Sequence, residues 1–135
     1  MAKSAKRKTA KRTTNQKTTR PANSTRPDVV GYFRAKLEAE WGPYDLKRAF
    51  DTNERSVVIL DTRKPDAYAE EHIPQALNIP GEELGKRLSE LPKDKAIVPY
   101  CWNITCHLAT RAALQLAQNG FTVHELAGGD RGLER

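Results

Sequence analysis

The stretch A-I-V-P-Y-C-W-N-I-T-C-H-L-A-T-R-A-A-L-Q-L-A-Q-N-G, Ala96 to Gly120, reads as strand, loop and helix in immediate succession. Ala96 to Tyr100 is a short apolar run of strand length. From about His107 to Gln118, Ala109, Ala112, Ala113 and Leu116 form a buried helical stripe, and Asn119-Gly120 is a stop signal. Outward from this unit, Val57-Val58-Ile59-Leu60 is a continuous apolar run, as expected of a parallel strand buried on both faces. Asp61 to Lys64 then forms a loop, and Pro65 opens a short helix that stops at His72-Ile73-Pro74, because the residue before proline disfavours helix. Ala76 to Ile79 is a strand closed by Pro80-Gly81. Leu84, Leu88 and Leu91 lie on one face of an amphipathic helix that tolerates Gly85. Phe121 to Leu126 is a last strand. Toward the N-terminus, Gly31 to Glu40 places Phe33 and Leu37 on one face, and Pro43 starts a helix with Leu46, Ala49 and Phe50; both are expected to be packing helices. This alternation predicts an α/β fold, a mainly parallel central sheet flanked by helices, with functional groups at the carboxyl ends of its strands. Pro99 lacks a ladder N–H inside a central strand, so the strand is either bulged there or has no bond to lose.

The chain has 135 residues, enough for one domain. Nine of its 23 Lys and Arg lie in residues 1–27, where no acid occurs and Met and Ala are the only apolar residues. That segment carries +9, whereas the other 14 basic side chains face 17 acidic ones, a net of -3. Residues 1–27 therefore read as a disordered basic tail and residues 28–135 as the folded domain. No run reaches the ~18 apolar residues of a membrane span, and the start lacks a secretory apolar stretch. A soluble, cytoplasmic protein without membrane partners is the expectation. The two cysteines, Cys101 and Cys106, are too few for a disulfide-stapled fold and enough for one site of thiol chemistry.

Cys101 follows directly after a strand, with a helix six residues later. A short loop there curls round the thiol, aims backbone N–H groups inward and adds the positive end of the helix dipole. Such surroundings can lower a thiol pKa from ~8.5 to ~3.5–7.5, giving a nucleophilic thiolate. An inert buried cysteine is the competing reading.

Three linked segments carry a family resemblance: D-T-R-K-P-D-A-Y-A-E-E-H-I-P-Q-A-L-N-I-P (Asp61 to Pro80), L-P-K-D-K-A-I-V-P-Y-C (Leu91 to Cys101) and A-A-L-Q-L-A-Q-N-G-F-T-V-H-E-L-A-G-G (Ala112 to Gly129). Over about residues 30–130 the chain resembles the single-domain rhodanese-like sulfurtransferases, in a branch with a C-W-x-x-x-C loop. The resemblance implies a three-layer fold and a sulfur-carrying Cys101. It implies that the backbone amides of Trp102, Asn103, Ile104, Thr105 and Cys106 cradle the persulfide. Asp61 and Arg63 match a D-x-R element that braces the site, with Arg63 also a candidate to face anionic donors, and His72 matches an H-I-P turn of structural role. A small sulfur donor such as thiosulfate or a persulfide, and a thiol, cyanide or thioredoxin-like acceptor, would be the partners. No metal and no cofactor is implied. The sequence departs from the family pattern at Ile104, where a glycine is common, at Cys106 and His107, and in lacking an aromatic residue shortly after Gly128-Gly129.

Other readings are weaker. A cysteine phosphatase needs C-x5-R, because the arginine grips phosphate in bidentate fashion, and His107 stands at that position. A metal site from Cys101, Cys106 and His107 with His72 or His124 lacks the paired spacing of zinc ligands. A non-catalytic binding module is the alternative of another class, with the tail holding nonspecific nucleic acid or another polyanion through charge; a merely solubilising tail is the plain counterpart. Trp102 reads as a pocket wall. Cys106 is either a redox partner of Cys101, close enough in a six-residue loop for the ~4.4–6.8 Å Cα separation a disulfide needs, or a small apolar filler.

Overall fold

In a computed structural model, residues 28–103 and 105–132 are described. They run α1 (Val29–Ala39), β1 (Glu40–Trp41), α2 (Pro43–Asn53), β2 (Val57–Asp61), α3 (Pro65–Glu70), β3 (Leu77–Asn78), α4 (Leu84–Arg87), β4 (Ala96–Tyr100), α5 (Leu108–Gln118), β5 (Thr122–Val123) and β6 (Glu125–Leu126). Short 3₁₀ turns occupy Glu54–Ser56, Leu88–Glu90 and Gly129–Gly132. The tail expected at residues 1–27 lies outside the described residues, as does Ile104. No helix among the described residues is long and apolar enough to cross a membrane.

Strands β3, β2, β4 and β5 form, in that order, an entirely parallel sheet, and β1 pairs with β6 in a second parallel ribbon. Alternating residues of the central strands feed two apolar layers. Leu60 and Ile97 join Ile79, Leu84, Leu91, Ala112, Leu116 and Phe121 on one face. Val57, Ile59, Val98 and Tyr100 join Leu46, Ala76 and Leu126 on the other. A side chain buried in these layers contributes roughly 1.5–3 kcal/mol, and burial on both faces is why these strands read as unbroken apolar runs.

Three expectations need correction. α1 is not a packing helix: it has no buried residue, and Phe33 and Leu37 are 56% and 83% exposed. Both sheet faces are already covered by the helices that follow, so its apolar side finds no core to join. The helix carrying Leu84, Leu88 and Leu91 shortens to one α turn and a 3₁₀ turn, although all three leucines still pack on the core. The last strand breaks at His124, because the chain changes sheets there. His124 N–H donates to the Ile97 carbonyl (3.0 Å) and Ala127 N–H to the Trp41 carbonyl (2.8 Å), while the His124 ring stacks on Trp41 at 4.4 Å.

Pro99 is accommodated without a bulge. The β2–β4 register runs unbroken through Leu60–Pro99 and Asp61–Tyr100, and the β4–β5 ladder ends at Ile97–Val123. Ile97 faces β5 and Tyr100 faces β2, so in the alternation of a parallel strand the missing N–H of Pro99 lies on the β5 side, past that strand's end.

The polar heart of the molecule sits where β2 leaves the sheet. Asp61, Thr62 and Arg63 are all 1% exposed or less. Asp61 Oδ1 accepts from the Arg63 backbone N–H (2.9 Å) and Nε (3.0 Å), and Oδ2 from Arg63 Nη2 (2.8 Å) and the Tyr100 hydroxyl (2.8 Å). Arg63 Nη2 also donates to the Glu71 carbonyl (2.6 Å), and Nη1 pairs with Asp130 Oδ2 at 3.1 Å. Asn78 Nδ2 donates to the carbonyls of Asp61 and Arg63, and Thr62 Oγ1 to that of Tyr100. The turn at His72 is pinned to this network: Ile73 N–H donates to the Tyr100 hydroxyl (3.1 Å), and the His72 ring stacks on Tyr68 at 3.7 Å. Burial pulls the Arg63 pKa down, but the hydrogen bonds and charge of Asp61, with the charge of Asp130, outweigh it, and the value is raised. Burial, opposed by the Ile73 hydrogen bond and aided by Asp61, holds the Tyr100 phenol well above its ordinary value.

Asp61→Ala leaves a buried guanidinium short of its partner and should lower unfolding free energy by about 3–5 kcal/mol, whereas exposed Leu37→Ala should stay within about 0.5 kcal/mol. Denaturant titration measures both; a parental midpoint for Asp61→Ala would show that the network braces nothing. Because the Tyr100 pKa is raised on folding, its contribution is full below the unfolded phenol value of about 10. It declines as pH rises beyond that, since the unfolded chain releases its proton first. Tyr100→Phe should therefore show a shallower alkaline loss of stability than the parent in unfolding curves taken across that range.

Candidate active site

Tyr100 is the last residue of β4, and Cys101 stands at the carboxyl edge of the sheet, 2% exposed. The chain reaches α5 at Leu108, with His107 as its N-cap residue. Between them the backbone doubles back on Asn103, whose side-chain oxygen accepts from the Thr105 N–H (2.9 Å) and hydroxyl (2.6 Å) and whose carbonyl accepts from the Cys106 N–H (3.1 Å). Cys101 and Cys106 are joined in a disulfide, with Cα atoms 6.2 Å apart. Of the amides expected to surround the sulfur, those of Thr105 and Cys106 are thus turned to Asn103 in this closed form.

Behind the cysteine the chain returns through Gly128 and Gly129. Gly129 has φ +60°, and a Cβ there would collide with the Cys101 carbonyl oxygen and lie 2.8 Å from the Trp102 carbonyl carbon. Only glycine lets the backbone pass so close. Asp130 N–H then donates to that same Cys101 carbonyl (3.1 Å), while its carboxylate holds Arg63. The cysteine is therefore pinned from below by a residue tied to the ion network of β2.

In front of it lies a cavity of about 460 Å³. Cys101, Asn103, Cys106 and His107 line one side, and Tyr32, Lys36 and Glu40 stand across from them. Lys36 is paired with Glu40 at 2.9 Å, and Glu125, also at the cavity, accepts from Thr110 at 2.6 Å. Both cysteines thus line one cavity together with Lys36, Glu40 and His107.

Cys101, expected to carry the sulfur, and two of the expected cradle residues, Asn103 and Cys106, meet at the cavity. Arg63 and Trp102, both expected to meet substrate, do not line it; the guanidinium carbon lies 4.4 Å from the Trp102 ring centroid. With its donors committed to Asp61, Glu71 and Asp130, Arg63 is a brace rather than an anion-facing group here. Thr105 is likewise absent from the lining, and Ile104 lies outside the described residues. Asp61 lies in the buried network with Arg63 and Tyr100, and the His72 ring packs on Tyr68. Of the histidines considered for a metal site, His107 lines the cavity with the cysteines, whereas His72 is engaged with Tyr68 and His124 with Trp41 and the Glu38 carbonyl. No three His, Cys, Asp or Glu side chains gather as a metal site among the described residues.

Sequence reasoning missed the α1 wall and the contribution of Asp130. The Gly128-Gly129 pair was a legible signal for close backbone approach, but nothing in its spacing says that the approach is to Cys101.

Residues 43–133 match the family described as the rhodanese-like domain. Among curated proteins, a thiosulfate sulfurtransferase of Coxiella burnetii is 34% identical over 77 residues, covering 56% of this chain and 69% of that protein. An HTH-type transcriptional regulator of Mycobacterium tuberculosis is 40% identical over 73 residues, which are 54% of this chain and only 32% of the regulator. The crystal structure of protein BH2092 from Bacillus halodurans superposes with a TM-score of 0.65 at 38% identity, covering 73% of this chain and 72% of that one. The parallel sheet, the cysteine at the end of its central strand and the family match over residues 43–133 agree: the chain belongs to the rhodanese-like domain family.

Proposed function

We propose that this chain is a sulfurtransferase in which Cys101, once its disulfide is reduced, carries a sulfane sulfur as a persulfide. The observation that supports this most is the seating of Cys101: at the carboxyl end of a central parallel strand, held from behind by Gly129 and Asp130, and open in front to a cavity of about 460 Å³. The similarity to a thiosulfate sulfurtransferase supports the same chemistry.

The reaction has two steps, each easier than a direct transfer. The Cys101 thiolate attacks the outer sulfur of thiosulfate, the bond from that sulfur to the sulfonate breaks, and sulfite leaves with the electron pair. The resulting Cys101 persulfide then gives its outer sulfur to an acceptor, cyanide or a thiol, and Cys101 returns as thiolate. In the reduced loop, backbone N–H groups such as those of Trp102, Asn103, Thr105 and Cys106 would stabilise the anion in both steps. A thiol that must be reduced before it can work suits a reducing compartment such as the cytoplasm.

Intact mass spectrometry tests this. Reduced protein incubated with thiosulfate should gain the mass of one sulfur atom or release an equal amount of sulfide. Cys101→Ser should do neither and should lose thiosulfate:cyanide activity entirely. Activity surviving in Cys101→Ser would put the chemistry elsewhere, and inert reduced parent protein would leave a binding module.

A further inference from the structure

Cys106 shares the cavity with Cys101, and in the closed loop the two are joined within the rhodanese-like fold, their Cα atoms 6.2 Å apart. The loop also contains its own latch. With Thr105 and Cys106 N–H groups satisfied by Asn103, the closed form stands as a hydrogen-bonded turn in its own right. The two residues differ in exposure: Cys101 is 2% exposed, whereas Cys106 is half-buried.

We propose that Cys106 is a resolving thiol: it discharges the Cys101 persulfide by attacking its inner sulfur, so that the chain itself reduces the bound sulfane sulfur to sulfide. This rests on the sulfurtransferase reading and extends it to a second activity, sulfide release coupled to disulfide formation. In the step, the Cys106 thiolate attacks Cys101 Sγ, the bond between Sγ and the outer sulfur breaks, and the outer sulfur leaves with the electron pair as hydrosulfide. One sulfane sulfur is reduced and two thiols are oxidised, so no external oxidant is needed. Hydrosulfide is a weaker base than an alkyl thiolate and is the better leaving group. The product is the Cys101–Cys106 disulfide.

Reset takes two thiol equivalents, which a dithiol supplies in one molecule. Its first thiol attacks the sulfur of the less buried residue, Cys106, and expels Cys101 as thiolate; its second thiol resolves the mixed disulfide and frees Cys106. A protein or small molecule with paired thiols is therefore the reductant class this site fits, and the sulfide it yields suits reactions that consume inorganic sulfide.

The test uses full-length protein, reduced and then freed of reductant, mixed with thiosulfate and followed by intact mass and sulfide release. The parent should release sulfide equimolar with protein, lose two hydrogens from its reduced mass and then stop until dithiothreitol is added. Cys106→Ser should retain the added sulfur and release no sulfide, and Cys106→Ala should match it, with folding checked by circular dichroism. If parent and both variants hold the persulfide alike, the resolving role is overturned while sulfur loading at Cys101 stands. If neither parent nor variants gain sulfur or release sulfide, the sulfurtransferase reading fails, and this inference with it.

Discussion

Everything near the cysteine depends on one buried ion pair. Asp61 and Arg63 are neighbours but one in sequence, and together they organise groups that arrive from four other places in the chain: Glu71, Asn78, Tyr100 and Asp130. Neither charge is tolerable alone in such a place, since an isolated buried ion loses several kcal/mol of hydration. Together, with every named acceptor in range, they fix the direction in which β2 leaves the sheet, the angle of the turn at His72 and the path of the C-terminal 3₁₀ turn. The pair contributes geometry more than stability, because a well-packed apolar substitute could hold the same volume without specifying where Asp130 goes. The link to function runs through Asp130: one end holds Arg63, the other holds the carbonyl of Cys101.

The cysteine loop closes on itself, through a disulfide and through a hydrogen-bonded turn at Asn103. In its disulfide form the amides of residues 105 and 106 are spent on Asn103, so the anion cradle is not assembled at those two positions. Reduction frees the sulfurs, and rotation of these amides away from Asn103 is then a local change confined to the loop. The hydrogen bonds that hold the closed turn, from Thr105 and Cys106 to Asn103, lie within the loop, apart from those of the sheet and the ion network.

Much of this was legible from sequence because it was local. β2 and β4 announce themselves as apolar runs, since strands buried on both faces have no polar side to display. The proximity of Cys101 and Cys106 followed from loop length. What escaped depends on partners distant in the chain. The apolar residues of α1 look the same whether or not a core is free to receive them. The break at His124 is invisible in T-V-H-E-L, because it is caused by Trp41 and Ile97 competing for successive backbone groups. Arg63 could have faced an anion or a carboxylate, and only the arrival of Asp130 decides. Pro99 was a legible anomaly, resolved by where β5 happens to end.

The attachment of α1 has a mechanical consequence. Its N-terminal turn is closed locally by Asp28, whose carboxylate accepts from Gly31 N–H at 2.9 Å, while its tie to the sheets lies at the other end, through the Glu38 carbonyl, β1 and the stacked pair of Trp41 and His124. The cavity thus has one rigid wall, the cysteine loop on its buried brace, and one cantilevered wall, carrying Tyr32 and Lys36. Few buried contacts mean a low free energy of local opening. Whatever enters the cavity therefore meets one wall backed by the core and one that is backed only at its root.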